Sequence, residues 1–388
     1  IFESPLEKIR NTYYDGDPWL TIIQYMASQC DGVTLWAPII EKDDSAKPNE
    51  DMWKIDIDNL RIEHHDNYNS YLGFYKLLPF RYRSWKKHAF RLINDHDVVL
   101  SRLPSPLLTI TTNVCTKLNK PLHLTVAGDM LTQSDRIIGS SGIKRLFYKM
   151  ATIIHVWEEI RCGRKADMIY AYSQDLIDRH QAEEGKVKYM LDTHISLKDL
   201  VRREDTCQAD EINILRTCWL IPSKGIEYLI DAISILVDKG YNVKLNIIGK
   251  ERIDGYQNEL ESRCETLKIQ NRINFLGWQS FNDTEQFFIN NDIQVVSSLS
   301  EGTPRVIVEG LSRGLPLVCT TVGGCPILLT NEKNALLIPH SDPDAIANSV
   351  EKIIKDGQLR RSLIKNGFTL AESITYENLG VEFLKDIE

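Results

Sequence analysis

Long hydrophobic runs are missing from this chain. None approaches the ~18 residues that a membrane-spanning helix requires, and no secretory leader with basic, apolar and small-residue regions is visible. A cytoplasmic location is therefore expected. Metal-type cysteine spacing is missing too. The eight cysteines (Cys30, Cys115, Cys162, Cys207, Cys218, Cys264, Cys319 and Cys325) include no Cys-x-x-Cys pair, and several sit in apolar runs. They read as buried free thiols of a reducing compartment rather than as metal ligands or disulfides. Positive charge is in deficit: the net charge is −8. That argues against general nucleic-acid binding while leaving room for a local basic face. No sequence repeat of short period occurs. The first residue is Ile1 rather than Met, which leaves room for a preceding segment carrying a first strand.

What the chain does contain is an alternation of short apolar, β-branched runs with helical segments, the signature of parallel α/β sheets. At 388 residues and 43% hydrophobic content it can fill two cores, because a domain takes roughly 100–200 residues. In the first half, Asp17 and Pro18 suit the N-cap and first position of a helix running to about Gln29. Strands are expected at Val33–Pro38, Asp97–Leu100, Pro121–Val126, Ala166–Ser173 and Val187–Met190, with Glu41–Asp58 a charged surface excursion. The alternation restarts at Glu211. Strand Ile212–Thr217, turn Pro222–Gly225, helix Ile226–Asp238 and strand Val243–Ile248 make a right-handed βαβ unit. Strands at Asn274–Gly277, Ile293–Val296, Leu317–Thr320 and Leu336–Ile338 continue the sheet. The predicted organisation is a first doubly wound domain over 1–195, a polar linker Ser196–Asp210, and a second such domain over 210–370. A terminal helix near 372–388 is expected to return to the first domain. Ligands of open α/β sheets bind beyond the carboxyl ends of the strands, so two such domains facing each other define a cleft.

The stretch from Ser297 to Gly310 carries the chemistry. After the buried strand Ile293–Val296 comes a small-residue loop and then a helix start, with Thr303 suited to the N-cap and Pro304 to the first helical position. Free N–H groups there would favour a phosphate or another anion. Glu301 and Glu309 flank that site and could reach different parts of one ligand. Read alone, they are equally a solvated loop residue and a helix-face residue.

Several motifs in fixed order carry a resemblance. They are Leu220-Ile221-Pro222-Ser223-Lys224-Gly225, the strand ending at Gly249, Asn274-Phe275-Leu276-Gly277, Glu301 with Glu309 eight positions on, Gly314-Leu315-Pro316-Leu317-Val318, and Val322-Gly323-Gly324-Cys325-Pro326. Together they resemble the nucleotide-sugar-binding domain of the family-4 glycosyltransferases, over about residues 210–345. The first half is only loosely similar. The resemblance implies an α/β GT-B fold of two facing Rossmann-like doubly wound domains with an inter-domain cleft, the first on the acceptor side. It further implies a hexosyl- or related glycosyltransferase that moves a sugar from a nucleotide-sugar donor, with retention, to a glycan, a lipid-linked glycan or a small molecule. A nucleotide-sugar 2-epimerase, a sugar phosphorylase and a non-catalytic nucleotide-sugar-binding subunit remain alternatives on the same fold.

Residue roles follow from the resemblance. Lys224 and the loop Gly302, Thr303, Pro304 and Arg305 would hold the donor diphosphate, whose developing charge is the main catalytic lever. No metal and no cofactor is expected. Glu309 would take the ribose hydroxyls, and Glu301 would act catalytically on the donor sugar. Trp278 would sit at the base, although it is equally a plain packed aromatic. Lys224 alone would read as a solvated turn lysine. Where the family has Gly-Arg before the lysine loop, this chain has Cys218 and Trp219. Arg216, three residues earlier in a strand of alternating faces, is not expected to replace that arginine. Where a first-domain histidine is common, the chain has Gly128 and Asp129; Asp129 is the substitute catalytic candidate, or else a turn residue. His123, inside the strand, reads as a core histidine. Ile327 stands where a glutamate often follows the Gly-Gly-x-Pro motif.

Residues 74–94 hold six Lys or Arg, six aromatics and no acid. The cations are Lys76, Arg81, Arg83, Lys86, Lys87 and Arg91, and Lys144–Lys165 is a second basic, aromatic stretch. This composition suits an anionic membrane surface or a lipid pyrophosphate. It equally suits two amphipathic helices with their aromatics in the core.

Overall fold

A computed structural model of the chain describes residues 6–16, 19–46, 48, 52–55, 57–65, 71–127, 143–181, 185–279 and 281–387. The predicted N-cap Asp17 and the candidate Asp129 lie outside them. The chain forms two compact units, one of Ile1–Met190 with Gly380–Glu388 and one of Leu191–Leu379.

The first unit contains β1 (Leu6–Ile9), β2 (Thr12–Asp15), α1 (Trp19–Gln29), β3 (Val33–Glu41), β4 (Trp53–Lys54), β5 (Leu60–His65), α2 (Tyr71–Asn94), β6 (Val99–Leu103), α3 (Leu108–Leu118), β7 (Leu122–Val126), α4 (Ile143–Gly163), β8 (Met168–Ala171), α5 (Gln174–Arg179) and β9 (Val187–Tyr189). The expectation of one parallel sheet is corrected here. β6-β7-β8-β9 is parallel, but β4-β2-β1-β3-β5 is a separate mixed sheet. Its hairpin β1–β2 closes over Arg10 and Asn11, with Arg10 at φ 55°. No glycine marks that turn, so nothing in the local pattern announced it. The presumed excursion after Glu41 likewise contributes β4 to this sheet.

His123 lies inside β7 and is 2% exposed, with its ring 5.8 Å from that of Phe383; burial pushes its pKa down. That is the core histidine the strand position implied. Phe383 also stacks on Tyr170, with centroids 4.5 Å apart, and the Tyr170 hydroxyl donates to Asp386 at 2.8 Å. The final residues thereby contribute to this unit's core.

The second unit contains β10 (Ile212–Thr217), α6 (Ile226–Asp238), β11 (Val243–Ile248), α7 (Tyr256–Thr266), β12 (Ile273–Phe275), α8 (Phe281–Asn290), β13 (Ile293–Val296), α9 (Val306–Ser312), β14 (Leu317–Thr320), α10 (Cys325–Leu328), β15 (Leu336–Ile338), α11 (Pro343–Lys355), α12 (Gly357–Ser373) and the start of α13 (Tyr376–Lys385). Its sheet is wholly parallel, in the order β12-β11-β10-β13-β14-β15. The chain winds outward from β10 to β12, returns beside β10 as β13, and winds the other way. The topological switch point of this doubly wound sheet therefore lies between β10 and β13.

Burial rather than propensity makes these helices. Five β-branched residues in α6 cost roughly 2–3 kcal/mol of helix propensity. Ile226, Leu229, Ile230, Ile233 and Leu236 are fully buried, and at roughly 1.5–3 kcal/mol each that outweighs the cost several-fold.

Among the contacts that tie the linker to this unit is one made by an arginine of α12. Arg360 of α12 is 5% exposed and donates to both carboxylate oxygens of Asp205, at 2.6 and 3.1 Å, and to the carbonyls of Ile353 and Ile354. Arg360→Ala removes the two-pronged bond to Asp205, which keeps Arg361 and the Thr206 N–H, and leaves two carbonyls without this donor; it should cost about 2 kcal/mol in urea unfolding. Arg361→Ala, which removes only an exposed partner of Asp205 at 3.1 Å, should cost under about 0.5 kcal/mol.

Candidate functional site

The loops after β10 and β13 meet at the switch point. After β10 the chain makes a single 3-10 turn, Pro222–Lys224, which ends at Gly225 with φ 58°. A Cβ on Gly225 would lie 2.2 Å from the Ser297 carbonyl. Only glycine permits both the left-handed backbone and that approach. Leu299 N–H donates to the Ser223 carbonyl at 2.8 Å and Ser297 Oγ to the Lys224 carbonyl at 3.1 Å. Backbone contacts thus fix the lysine loop against the end of β13.

On that platform Lys224 Nζ stands 2.6 Å from Glu301 Oε1, with the two side chains 17% and 12% exposed. Ser298 Oγ donates to the same carboxylate oxygen at 2.7 Å, and Arg216 Nη2 donates to Ser298 Oγ at 2.8 Å and to the Lys224 carbonyl at 3.1 Å. Arg216 was not expected to replace the family's arginine, and its burial beneath the loops agrees with that. Its position near the strand's end and its long side chain let the guanidinium, 1% exposed, reach beneath both loops. It is a foundation and not a surface cation. Thr320 of β14 braces the other side by donating to the Ser298 carbonyl at 2.7 Å.

The Gly-Gly motif has an equally direct cause. A Cβ on Gly323, at φ 55°, would lie 2.0 Å from the Glu301 carbonyl, and one on Gly324 would lie 1.9 Å from Thr303 Oγ1. Gly324 N–H donates to the Gly302 carbonyl at 2.5 Å. These contacts overturn the predicted cap. Residues 302 and 303 are held against Gly323-Gly324, so α9 starts only at Val306. Arg305 occupies the N-cap position without a side-chain capping bond, and Pro304 opens a preceding turn by accepting from Ile307 N–H at 3.1 Å. Gly302 and Arg305 are exposed and Pro304 is buried.

Glu309 lies within α9 as expected, in a second cluster. Its Oε1 is 3.5 Å from His194 Nε2. Burial raises the Glu309 pKa above the usual carboxylate value, while Arg305 and Arg313 pull it down. Burial, reinforced by the same two arginines, pushes His194 down to about 3, so the imidazole is neutral near pH 7. Trp278 is half-buried on the loop after β12, two strands away from β10, and does not join either cluster. The structure thus brings Lys224 to Glu301, and Arg305 to Glu309. Sequence reasoning missed Ser298, His194 and Arg313. None of the three belongs to a motif, but for Arg216 a signal was available: an arginine in a mostly buried strand must satisfy its charge somewhere nearby.

With that geometry in view, the similarities to other proteins are informative. Residues 208–369 match the family described as glycosyl transferases group 1, so the second unit carries a domain of that kind. An uncharacterized glycosyltransferase of Methanocaldococcus jannaschii is 30% identical over 182 residues, 47% of this chain and 46% of its own length. Another from that organism is 28% identical over 286 residues, 72% of each chain. The matched stretch thus spans about half of the first relative. The crystal structure of Anabaena HepE in complex with UDP covers 99% of both chains, with a TM-score of 0.66 and 17% identity. At that identity the likeness speaks for the fold: two α/β units with parallel sheets, as in GT-B glycosyltransferases.

The raised pKa of Glu309 has a checkable sign. The folded chain holds this proton more tightly than the unfolded chain. The associated stability is therefore fully present below the unfolded value of about 4.3 and is lost as pH rises through the higher folded value. Glu309→Gln should remove that loss. In calorimetric melts without ligand the variant should unfold at an equal or higher temperature near pH 7, and the difference from the parent should shrink towards pH 4.

Proposed function

We propose that the chain is a glycosyltransferase that transfers a hexosyl or related group, with retention, from a nucleotide-sugar donor to a glycan, a lipid-linked glycan or a small molecule. The observation that carries this reading is the Lys224–Glu301 pair, held 2.6 Å apart at the switch point of a group 1 domain. Without donor, Lys224 is paired with a single carboxylate. A nucleoside diphosphate brings about two negative charges and competes for that ammonium. Once Lys224 turns to the phosphates, Glu301 is released towards the sugar. There it can hydrogen-bond a hydroxyl and offset the positive charge that develops as the anomeric C–O bond breaks.

Loop Gly302–Arg305 lies beside the pair and would offer N–H groups and the Arg305 cation to the diphosphate. Glu309 would accept from the ribose hydroxyls. Trp278, on the loop after β12, would contact the base, and Asp129 would act from the first unit. Lysine, arginine and amides here do the screening a divalent cation would otherwise do, so transfer should persist in excess EDTA. The chain would work in the cytoplasm. There α2, with its exposed Phe80 and surrounding cations, would rest on an anionic membrane face; Phe74 and Trp85 are buried and stack on each other at 5.0 Å.

Steady-state kinetics on Glu301→Ala and Glu309→Ala test the assignment. Losing a charge-assisted hydrogen bond costs roughly 1.5–3 kcal/mol, a factor of about 10–150. Glu309→Ala should spend that on donor KM, and Glu301→Ala should spend at least as much on kcat. The reverse pattern undoes the two roles. Turnover of donor to an epimer without acceptor, or an absolute need for inorganic phosphate, would replace the transferase reading with an epimerase or a phosphorylase.

A further inference from the structure

Helix α4 turns an apolar stripe towards solvent. Met150, Ile153, Ile154 and Trp157 are spaced i, i+3, i+4 and i+7, and are 51%, 62%, 47% and 63% exposed. The opposite face does the packing: Thr152, His155, Glu159 and Cys162 are buried, and Thr109 of α3 donates to Glu158 at 3.3 Å. A helix that already has a buried face does not need a second apolar one to fold, and four large exposed apolar side chains in one row mark a contact surface.

The charges around the stripe identify what it contacts. The carboxylates among the helix's described side chains are turned away from it. Glu159, 1% exposed, accepts from Arg179 and lies 3.2 Å from His180 Nε2, and Glu158 faces α3. The outward side carries cations instead. Lys149, Arg164 and Lys165 are exposed, and the Arg161 guanidinium stands 5.5 Å from the centre of the Trp157 ring. A second copy docking face to face would set these cations against their own counterparts, which is repulsive. An anionic lipid surface supplies the opposite charge, an apolar layer for the isoleucines and methionine, and the interfacial depth that tryptophan favours. α3 packs against both α2 and α4, so the basic, aromatic α2 belongs to the same helical layer.

We propose that the outward face of α4, centred on Ile153 and Trp157, is a docking surface for an anionic lipid bilayer, with the helix lying in the interface plane. The inference does not depend on the donor chemistry of the second unit.

The test is co-sedimentation of the full chain with vesicles of phosphatidylcholine alone or with about 30% phosphatidylserine. The comparison protein carries Ile153→Gln, Ile154→Gln and Trp157→Gln together. The parent should bind the anionic vesicles at low salt and less at high salt, and the variant's partition coefficient should fall at least about tenfold. Because all three side chains are exposed, the variant should keep the parent's melting temperature and its nucleotide affinity, so failure here is separable from failure of the transferase reading. Brominated lipids should quench tryptophan emission of the parent and quench Trp157→Phe less. No binding by the parent, or equal binding by the variant, overturns the proposal. So does a parent dimer in light scattering that the variant converts to monomer, which would make the face a contact between copies.

Discussion

A lysine ammonium and a carboxylate held 2.6 Å apart, each mostly shielded from water, form the contact around which the second unit is arranged. Such a pair persists only where the surroundings return the solvation it gives up. Here they do so in layers. Ser298 bonds the carboxylate, Arg216 bonds Ser298, and the same guanidinium caps the Lys224 carbonyl. Gly225 and Gly323 then let the two loops and the Gly-Gly turn approach within distances that any side chain would block. The parallel sheet supplies the place: at the switch point the helices diverge to opposite faces and leave both strand ends uncovered. Hydrogen bonds to backbone thus lie beneath the pair, and the exchange of partners proposed for Lys224 and Glu301 takes place above them.

Much of this unit was legible in the sequence, for a physical reason. Its strands are mostly apolar, and β13 and β14 are buried at every position, so β10, β11, β13, β14 and β15, along with α6, fall where the pattern placed them. An ordered set of motifs singled out Lys224, Glu301 and Glu309; the first two stand side by side and the third lies in a separate cluster. The helix start was not legible, because Thr303 and Pro304 are individually good cap and first-turn residues. Their actual positions are set by contact with Gly323 and Gly324, some twenty positions further on, and local pattern carries no information about such a contact. The supporting place of Arg216 beneath the loops was not legible, because strand alternation assigns a face to a Cβ and says little about where a long side chain ends near the end of a strand. His194 and Arg313 carry no motif at all; only the fold brings them beside Glu309.

The first unit was harder to read because one side of its mixed sheet is antiparallel. A hairpin turned by Arg10 and Asn11 lacks the glycine that usually announces one, and the two-residue strand β4 is too short to show a period. Composition was more informative than periodicity. Both basic, aromatic stretches form long helices, but the outcome differs within each. On α2, Trp85 and Phe74 serve the core while Phe80 stays out; on α4, the four-residue stripe faces solvent. A count of aromatics and cations cannot separate these cases, because burial depends on which helix face the sheet takes.

The exchange of partners at Lys224 is the central claim, and equilibrium binding tests it without any acceptor. Titration calorimetry with UDP and, in parallel, GDP, ADP and TDP should be run on the parent, Lys224→Met and Glu301→Gln. The account predicts that the nucleotide the parent binds is bound at least about tenfold more weakly by Lys224→Met. Glu301→Gln, which no longer holds the ammonium with a charge, should bind it as tightly as the parent or more tightly. Equal weakening in the two variants would show that Glu301 supports nucleotide binding rather than competing for Lys224, and would contradict the account.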